Sequence, residues 1–291
     1  MCSIAMLTCS KFPDLYAKDQ ELLLALRDLG MDALPVVWDD EMLWPEAWDL
    51  FVFRNTWDYC EKKDLFFEFL ARLRKMDKPT LNPLSVVEKN IHKFYLKGLQ
   101  SDFEIIPTVF WKAGNPASLD EVIPHTWEQF VIKPAVSAGA FETRLFLRSE
   151  VDIAADYYDS LLKREDWLIQ KYIPEIKEGG EISLLFIEKE FSHAVKKVPD
   201  AADFRVQSIY GGKYEVCQPS YELIKRAKAL LQSIEEELLF ARVDGVIHKD
   251  QFLLMEVELI EPDLYYEFNP GTVLQLAEAI RRYAELICNK K

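Results

Sequence analysis

Apolar runs of strand length alternate with amphipathic stretches over the first third of the chain. Leucines recur at helical spacing between residues 22 and 29 and stop before Gly30, a residue typical of helix ends. Residues 64–76 show a second amphipathic helical pattern. Because buried strands alternate with helices, this part predicts a parallel sheet. Its predicted strands are residues 3–9, 32–38 and 49–55.

The pattern changes at residues 104–111, where β-branched and aromatic residues dominate. A helix is predicted before this point, from LNPLSVVEKN (81–90) to about residue 100. The region that follows, with a helix at 151–163, predicts a small antiparallel α+β module. Further helices are predicted at 219–238 and 272–288. The remaining predicted strands are residues 128–135, 143–149, 167–173, 181–187, 191–198, 241–247 and 252–260.

Composition and charge narrow the function classes. The chain has 291 residues, 49% hydrophobic and 29% charged, which is typical of globular proteins and excludes a disordered chain. Its net charge of −14 repels nucleic acid and anionic membranes. No apolar stretch is long enough to span a bilayer, and the first residues lack a signal-peptide pattern, so we expect a cytoplasmic location. Neither internal repeats nor a flexible Gly/Ser linker occur, so the modules are expected to pack together.

The cysteines predict neither a disulfide framework nor a zinc site. They are odd in number, scattered along the chain and never spaced as CxxC. We therefore expect reduced thiols. The five cysteines are Cys2, Cys9, Cys60, Cys217 and Cys288.

Two carboxylates on one predicted strand are the first candidates for chemistry. Glu256 and Glu258 are two residues apart, so both point to one face, and Asp244 of the preceding strand can lie opposite them. Clustered carboxylates repel unless a cation neutralises them, and Mg²⁺ prefers carboxylate and phosphate oxygens. The pattern favours a magnesium–nucleotide site. The alternative is a polar face of an antiparallel pair that simply meets water.

A lysine inside an apolar strand supports the nucleotide interpretation. Lys133 is followed by small residues, including Ser137 and Gly139, whose backbone N–H groups can approach phosphate oxygens. Lys133 adds a positive charge for the same phosphates. Residues 170–173 form an extended connector whose backbone groups suit an adenine edge. The alternatives are an ordinary hairpin and an ordinary linking strand.

Three further cations are candidates for contacts with phosphate. Arg242 is two residues from Asp244 and shares its strand face, near the place where a transferred phosphoryl group would develop charge. Lys93 and Arg205 lie elsewhere in the sequence. The alternative for each is a solvated surface charge.

The order of these segments resembles the ATP-grasp superfamily over residues 90–270. NIHKFYL (90–96) resembles the segment of the family's first nucleotide lysine, and VIKPAVSAGA (131–140) resembles its second lysine with the lid loop. LIQKYI (168–173) resembles the adenine hinge. EGGEIS (178–183) is similar to the stretch that follows, in which an acidic residue supports the nucleotide.

The most specific resemblance is RVDGVI (242–247) followed by LLMEVEL (253–259). In the family an Arg-x-Asp strand and a Glu-x-Asn strand together hold two Mg²⁺ ions. Glu258 stands where Asn is commonest, and its added negative charge should strengthen metal binding or require a cationic neighbour.

The resemblance implies a role for each candidate residue. The implied nucleotide-binding residues are Lys93, Lys133, Ser137, Gly139, Gln170, Lys171, Tyr172, Ile173 and either Glu178 or Glu181. The implied metal ligands are Asp244, Glu256 and Glu258, and the implied catalytic cations are Arg205 and Arg242. The residues implied to face the substrate are Arg54, Trp57, Asp58 and Tyr59, with core packing as the alternative for Trp57 and Tyr59.

Within the superfamily, RNTWDY (54–59), DFRVQSIYGG (203–212) and MEVELIEPDLYY (255–266) are most similar to one branch. That branch contains the cycloserine-forming cyclo-ligase, the glutathione synthetases and the ribosomal-protein S6 modification enzymes. It implies an ATP-grasp fold, α/β and α+β, with ATP between the last two domains. The implied divisions are an N-terminal α/β domain (1–88), a connecting helix and strand packed on the C-terminal domain (89–107), a lid domain (108–169) and a C-terminal antiparallel-sheet domain (170–291).

The implied activity is ATP-dependent formation of a C–N bond on a small amino-acid-like or peptide substrate. An acyl-phosphate-type intermediate would form, in an intermolecular or a cyclising reaction, and ADP and phosphate would be released. ATP and Mg²⁺ are the implied cofactors, and homodimers are common in the family. One alternative is a phosphotransferase, whose acceptor pocket should be basic, unlike RNTWDY (54–59). Another is a nucleotide-binding regulator without turnover, against which the intact Lys133, Arg242 and carboxylates argue.

Overall fold

The structure is a computed structural model that describes residues 2–40, 45–101, 103–201 and 203–289. Within these residues the strands form three sheets, each built from its own part of the chain. The architecture agrees with the predicted mixture of a parallel sheet and antiparallel sheets. The proposed division into four segments stays a prediction.

The first sheet is parallel and carries helices, as the alternating pattern predicts. Its elements are β1 (Ser3–Thr8), α1 (Ala17–Asp28), β2 (Asp32–Val37), β3 (Leu50–Asn55), α2 (Lys63–Lys75) and β4 (Thr80–Leu81). The strand order is β2-β1-β3-β4. Gly30 follows α1 with φ of +75°, a left-handed conformation that glycine adopts without strain and that ends the helix.

The helix predicted up to residue 100 is broken into α3 (Leu84–Asn90) and α4 (Leu96–Leu99). The break has a physical cause, because the backbone N–H of Lys93 donates to Ala135 O, 2.7 Å away, instead of bonding within a helix. This contact ties the segment to the loop after the Lys133 strand. Continuous helix is therefore the wrong prediction at this point.

The second sheet is the small antiparallel module predicted after residue 104. Its elements are β5 (Thr108–Trp111), α5 (Leu119–Val122), β6 (Gln129–Pro134), β7 (Arg144–Leu147), α6 (Val151–Leu162) and β8 (Trp167–Lys171). The strand order is β5-β8-β6-β7. Helix α6 buries Ala154 and Tyr158 against Phe130 and Trp167, so the module has a hydrophobic core of its own.

The third sheet is antiparallel and contains the three candidate metal ligands and Arg242. Its elements are α7 (Ile176–Gly179), β9 (Glu181–Ile187), β10 (Glu190–Val198), β11 (Lys213–Val216), α8 (Tyr221–Gln232), β12 (Phe240–His248), β13 (Gln251–Glu258) and α9 (Gly271–Cys288). The strand order is β11-β10-β9-β12-β13. Helix α8 stops at Gln232, earlier than predicted, and the hydroxyl of Ser233 donates to Leu230 O just beyond it. None of the helices in the described ranges combines the length and the apolar character needed to cross a bilayer.

The β12–β13 hairpin fixes which of its side chains share a face. Its two-residue turn, Lys249 and Asp250, has φ of 48° and 64°, as type I′ turns require. Gly245 lies at a register shift where a Cβ atom would come within 2.3 Å of the Phe252 ring. Beyond this shift Asp244 pairs with Glu256. The predicted opposition of Asp244 to the carboxylate pair is confirmed.

The parallel sheet is bound to the C-terminal sheet by polar as well as apolar contacts. The buried Asn82 side chain accepts a hydrogen bond from Leu239 N and donates to Phe240 O and Leu259 O, at 2.6, 2.9 and 2.7 Å. Helix α1 packs on α9 in a shared hydrophobic core. The two sheets therefore hold each other at the end of β13, close to Glu258.

Cys2 and Cys288 form a disulfide, with Cα atoms 6.0 Å apart. The expectation of reduced thiols is therefore wrong for this pair, while Cys9, Cys60 and Cys217 are free. The two partners are separated by 286 positions, so spacing along the chain carries no sign of the pairing. They meet because the last helix packs along the first.

Candidate functional site

A cavity of about 540 Å³ lies where the three sheets meet. This volume is within the range of about 300–1,000 Å³ that is usual for small-molecule sites. Lys133 and the loop after β6 line it from the second sheet, Trp57 and Tyr59 from the first, and Glu256 from the third.

One face of the C-terminal sheet supplies the charged side of the cavity. Side chains that alternate along a strand share a face, and the register aligns them across neighbouring strands. Asp244 lies beside Glu256 and Ser183, and Lys197 lies beside Glu181. The charged and polar residues of this face are Glu181, Ser183, Lys197, Arg242, Asp244, Glu256 and Glu258.

The three predicted metal ligands converge on one point. One carboxylate oxygen from each of Asp244, Glu256 and Glu258 lies within 4.8 Å of the others. Lys93 forms an ion pair with Glu256 at 3.0 Å, and Arg242 pairs with Glu258 at 2.5 Å and with Asp244 at 3.0 Å. Oxygen-only donors around a cluster of negative charge fit Mg²⁺, so the residues present are compatible with the expected metal.

Burial and ion pairing move the pKa values of this group in opposite directions. Burial raises the pKa of Glu258 well above its ordinary value, and Glu256 and Asp244 add to this although Arg242 opposes it. For Glu256, Lys93 and Lys133 outweigh burial, so its pKa is lowered. The state in which Glu256 is ionised and Glu258 is protonated is therefore favoured over the state in which both carboxyl groups are ionised.

Lys93 and Lys133 bring positive charge into the cavity from two different elements. Burial lowers the pKa of Lys133, and the neighbouring Lys93 contributes, although Glu256 opposes both. For Lys93 burial is outweighed by Glu256 and Glu258, so its pKa is raised. Two partly buried ammonium groups near each other repel, and an anionic ligand between them would relieve this repulsion.

The loop after β6 closes over the same side. Ser137 and Gly139 both line the cavity, and Gly139 and Ala140 have φ of 57° and 61°. The Ser137 hydroxyl donates to Pro134 O at 3.2 Å, which holds the start of the loop against its strand. The Phe141 N–H donates to Ala138 O across these two residues, so they form a tight turn, and turns are among the backbone conformations that can bind anions.

The connector at residues 170–173 also lines the cavity. Gln170 is fixed by a hydrogen bond from its amide nitrogen to the Thr108 hydroxyl at 3.0 Å. Lys171 N donates to Pro107 O at 2.9 Å, and Tyr172 N donates to Gln129 O at 3.1 Å. These two N–H groups are already bonded, so other backbone groups of the connector would have to contact an adenine edge.

Lys197 is a site residue that the sequence did not single out. It is 3% exposed, lines the cavity and forms ion pairs with Glu181 and, at 3.7 Å, with Asp244. The Ser183 hydroxyl donates to Asp244 at 2.5 Å, which orients the carboxylate. Glu181 therefore reaches the cavity through this buried network, whereas the other candidate, Glu178, is exposed and does not line it. No signal in the sequence separates Lys197 from Lys196, because only the pairing of Lys197 with Glu181 places it on the buried face.

Arg205 lines the cavity from the loop between β10 and β11. It forms an ion pair with Asp203 at 2.7 Å, and its guanidinium lies 3.5 Å from the centre of the Tyr210 ring. The aspartate hydrogen bonds raise the pKa of Arg205 further. The side chain is therefore charged and held in place at the mouth of the cavity.

The predicted substrate-facing residues do not all reach the cavity. Trp57, Asp58 and Tyr59 line it, and Asp58 also accepts hydrogen bonds from Trp38 at 2.7 Å and Lys62 at 2.8 Å. Arg54 differs from the expectation, because it is fully buried in an ion pair with Asp19 at 2.7 Å.

Arg54 instead supports the chain beyond β13. Its guanidinium donates to Pro262 O at 3.1 Å, and Asp19 also accepts hydrogen bonds from Asn55 and Tyr266. A buried ion pair needs such additional hydrogen bonds to offset its desolvation. This network fixes the position of the residues that follow Glu258.

Glu261 is a second residue that the sequence did not single out. It is 8% exposed and lines the cavity. Burial raises its pKa to about 7, although the charges of Lys93 and Arg242 and a hydrogen bond with Tyr59 each act to lower it. Its backbone oxygen accepts a hydrogen bond from the Trp57 indole at 2.9 Å. Contacts from the parallel sheet therefore shape this end of the cavity.

Known families match both parts of the chain. The family described as "Prokaryotic glutathione synthetase, ATP-grasp domain" matches residues 112–268, which is more than half of the sequence. The family described as "D-cycloserine synthetase DcsG, N-terminal domain" matches residues 4–82. The two matches contain every candidate site residue named above except Lys93.

Individual relatives agree with these families. The cycloserine biosynthesis protein DcsG of Streptomyces lavendulae is 26% identical over 276 residues, covering 89% of this chain and 91% of that protein. The glutathione synthetase of Rhodopseudomonas palustris is 28% identical over 123 residues, covering 40% of this chain and 37% of that protein.

Solved structures share the fold. The crystal structure of D-cycloserine synthetase DcsG has a TM-score of 0.84 at 22% identity, covering 98% of this chain and 99% of that one. A D-alanine–D-alanine ligase from Bacillus anthracis has a TM-score of 0.70 at 14% identity, with full coverage of both chains. With these likenesses and a family match over more than half of its length, the chain belongs to the ATP-grasp superfamily, in the family of the prokaryotic glutathione synthetase ATP-grasp domains, and is an ATP-dependent ligase that forms C–N bonds.

Proposed function

We propose that the protein joins the carboxylate of a small amino-acid-like or peptide substrate to an amine through an acyl phosphate. The observation that carries this proposal is that Lys93, Lys133, Arg242, Glu256 and Glu258 line one cavity, with the Asp244 carboxylate buried beside the two glutamates. Such a site has the charges that phosphoryl transfer requires, and no nucleophilic side chain is needed.

Asp244, Glu256 and Glu258 would hold the magnesium, in the two-ion arrangement implied by the family resemblance. When bound, Mg²⁺ would neutralise charge on the phosphate oxygens. Lys93 and Arg242 now balance these carboxylates. With these carboxylates holding a metal, the Lys93 and Arg242 side chains would be available to contact the phosphates of ATP. Lys133, the Ser137–Gly139 loop, residues 170–173 and Glu181 would hold the rest of the nucleotide.

The proposed reaction has two steps with balanced leaving groups. A substrate carboxylate oxygen attacks the γ-phosphorus of ATP, the bond to the bridging oxygen breaks, and ADP leaves. The neutral amine nitrogen then attacks the acyl carbon, inorganic phosphate leaves with the C–O bonding electrons, and the nitrogen loses one proton, which the leaving phosphate takes up. Arg205 and Arg242 would stabilise the charge that develops on the transferred group.

The test combines a release assay with product mass. Release of ADP and phosphate is measured with Mg²⁺–ATP and pools of amino acids, small peptides, polyamines and ureido or hydroxamate compounds. A product lighter by one water than an acid and an amine together supports the proposal, and the same loss from one compound indicates cyclisation. A product heavier by a phosphate would identify a phosphotransferase instead. ATP binding without turnover in any pool would favour a regulator.

A pair of variants connects the assay to the site. Glu256→Ala removes one of the three converging carboxylates, whereas Glu178→Ala removes an exposed carboxylate that does not line the cavity. Loss of release in the first variant and normal release in the second are expected. Equal release from both would contradict the proposed metal ligands.

A further inference from the structure

Glu261 is a buried acid in the cavity that the proposed phosphoryl transfer does not use. It lies three residues beyond the end of β13, lines the cavity and is 8% exposed. Over the described ranges it forms no ion pair with a lysine or an arginine, whereas Glu256 and Glu258 each pair with a cation. An acid that is buried in a ligand cavity without a bound cation is a candidate for chemistry.

Contacts from the parallel sheet fix the position of Glu261. The Trp57 indole donates to its backbone oxygen at 2.9 Å, and the Tyr59 hydroxyl forms a hydrogen bond with its carboxyl group. The same hydroxyl oxygen lies 3.4 Å from Ser137 O. Glu261 therefore lies between two residues predicted to face the substrate and the loop proposed to hold the nucleotide.

The other carboxylates that line the cavity are bound by cations or are less enclosed. Those already in ion pairs are Asp58, Glu181, Glu256 and Glu258. Glu61 is exposed, and Asp263 is half-buried with a hydrogen bond from Tyr265 N at 3.0 Å. Among the cavity carboxylates without an ion pair in the part of the chain that the structure describes, Glu261 is the most enclosed.

Charged and titratable groups from several elements act on Glu261. Burial raises its pKa to about 7, although the charges of Lys93 and Arg242 and the Tyr59 hydrogen bond act to lower it. A carboxyl group with such a pKa is partly ionised at neutral pH and can accept a proton there. The groups that face it are Tyr59 and Cys60 from the segment after β3, Lys93 from the segment between α3 and α4, Arg242 from β12 and Glu256 from β13.

We propose that Glu261 is the base that takes the first proton from the amine substrate. The amine enters as an ammonium ion, which has no electron pair with which to attack. The N–H bond breaks, its electrons remain on nitrogen, and the proton moves to a carboxylate oxygen of Glu261. The neutral amine then attacks the acyl carbon, and Glu261 returns the proton to water after the product leaves. The inference rests on the proposed ligase function and adds a catalytic residue to it.

Hydroxylamine separates this role from a structural one. It is a weaker base than an alkyl amine and is already neutral at about pH 7.5, so it attacks an acyl phosphate without first losing a proton. Ligation is measured with Mg²⁺–ATP, the acid found in the pools, and either the amine found there or hydroxylamine. A compound that cyclises supplies its own amine, and hydroxylamine is then added in competition. Product mass distinguishes the amide from the hydroxamate.

Glu261→Gln should affect the two nucleophiles differently. Because general base catalysis contributes about 10²–10⁴-fold, kcat/KM for amide formation should fall by about 100-fold or more at about pH 7.5. Hydroxamate formation should change by less than about tenfold, since hydroxylamine needs no base before it attacks. Glu261→Asp keeps a carboxylate and should restore part of the rate with the amine.

The pH dependence gives a second readout. In the wild type, kcat/KM for the amine should rise as Glu261 ionises, with a midpoint near its pKa of about 7. Glu261→Gln should lack this rise and gain activity only as the neutral amine accumulates at higher pH. The matched control is Asp263→Asn, which removes a cavity carboxylate of the same segment and should keep the wild-type profile.

The outcomes separate the two proposals. Loss of amide formation with hydroxamate formation kept, in Glu261→Gln and not in Asp263→Asn, would support the base. Equal losses with both nucleophiles, no loss with either, or the selective loss in Asp263→Asn instead would overturn it and leave the ligase intact. If the wild type forms neither amide nor hydroxamate with any acid in the pools, the proposed ligase fails and the base fails with it.

Discussion

Replacing Glu261 with glutamine should stabilise the protein at alkaline pH. Glu261 is 8% exposed, and burial raises its pKa to about 7. Because the folded-state pKa lies above the unfolded value, the folded protein keeps a proton that the unfolded chain releases between the two. The contribution of this group to stability is complete below the unfolded pKa and is lost as pH rises through about 7.

The size of the effect follows from the difference between the two pKa values. The pKa of Glu261 is 4.5 as its ordinary value and about 7 in the folded state. The free energy of unfolding therefore falls by about 3 kcal/mol once Glu261 is ionised in the folded protein. Glutamine cannot ionise, and it can still accept the hydrogen bond from Tyr59. The variant should therefore gain up to about 3 kcal/mol relative to the wild type between pH 5 and pH 8.5.

Urea unfolding followed by tryptophan fluorescence at these two pH values measures the effect. All other titrating groups are common to both proteins, so they cancel in the difference between their free energies of unfolding. Glu178→Gln, which changes an exposed glutamate, is the control and should show no such pH-dependent difference. If Glu261→Gln differs from the wild type by the same amount at both pH values, the argument that burial raises this pKa is refuted.

Three further predictions concern function and stability. Glu256→Ala should stay folded, as circular dichroism can verify, and should lose at least about 100-fold in ATP turnover, because even indirect supports of a metal ligand matter by 10–100-fold. Asn82→Ala leaves three buried main-chain groups without partners and should lower the free energy of unfolding by at least about 3 kcal/mol in urea titrations; an unchanged midpoint would contradict this. Lys197→Met should lower the free energy of unfolding by about 3–5 kcal/mol, because Glu181 and Asp244 lose their shared cation. Adding Glu181→Gln to this variant should restore part of the lost free energy.

The frame of the site follows from strand periodicity. The spacing of two between Arg242 and Asp244, and between Glu256 and Glu258, fixes a common face on each strand. A short turn makes the strands antiparallel neighbours, but its register alone would set Asp244 opposite Met255, and the register shift between Asp244 and Gly245 brings Asp244 opposite Glu256. Local information along the chain therefore predicts the shared face within each strand, whereas the alignment of Asp244 with the glutamates also depends on the irregularity at Gly245.

Residues whose environment depends on distant segments were not predictable in this way. Lys196 and Lys197 look alike in the sequence, and only the pairing with Glu181 places Lys197 in the interior. Glu261 follows the end of a strand, in a segment whose path is held by contacts from the parallel sheet. Burial of a charged side chain is decided by these partners rather than by its neighbours in sequence.

Arg54 illustrates the opposite error. The family resemblance implied that Arg54 faces the substrate, but its guanidinium instead forms an ion pair with Asp19, 35 positions away in the sequence. The resulting ion pair is fully buried. A resemblance between motifs therefore does not replace knowledge of the ion-pair partner.

The two-residue turn at Lys249 and Asp250, together with the register shift at Gly245, sets which side chains of the hairpin form the charged face. Side chains alternate along β13, so inserting or deleting one residue in this turn would direct Glu256 and Glu258 toward the hydrophobic core and Val257 toward the cavity. Substitutions in the turn can be tolerated, whereas a change of its length cannot. An exposed loop without any catalytic atom is thus under a strict constraint on length, and laboratory evolution of this enzyme should accept insertions elsewhere on its surface long before it accepts one there.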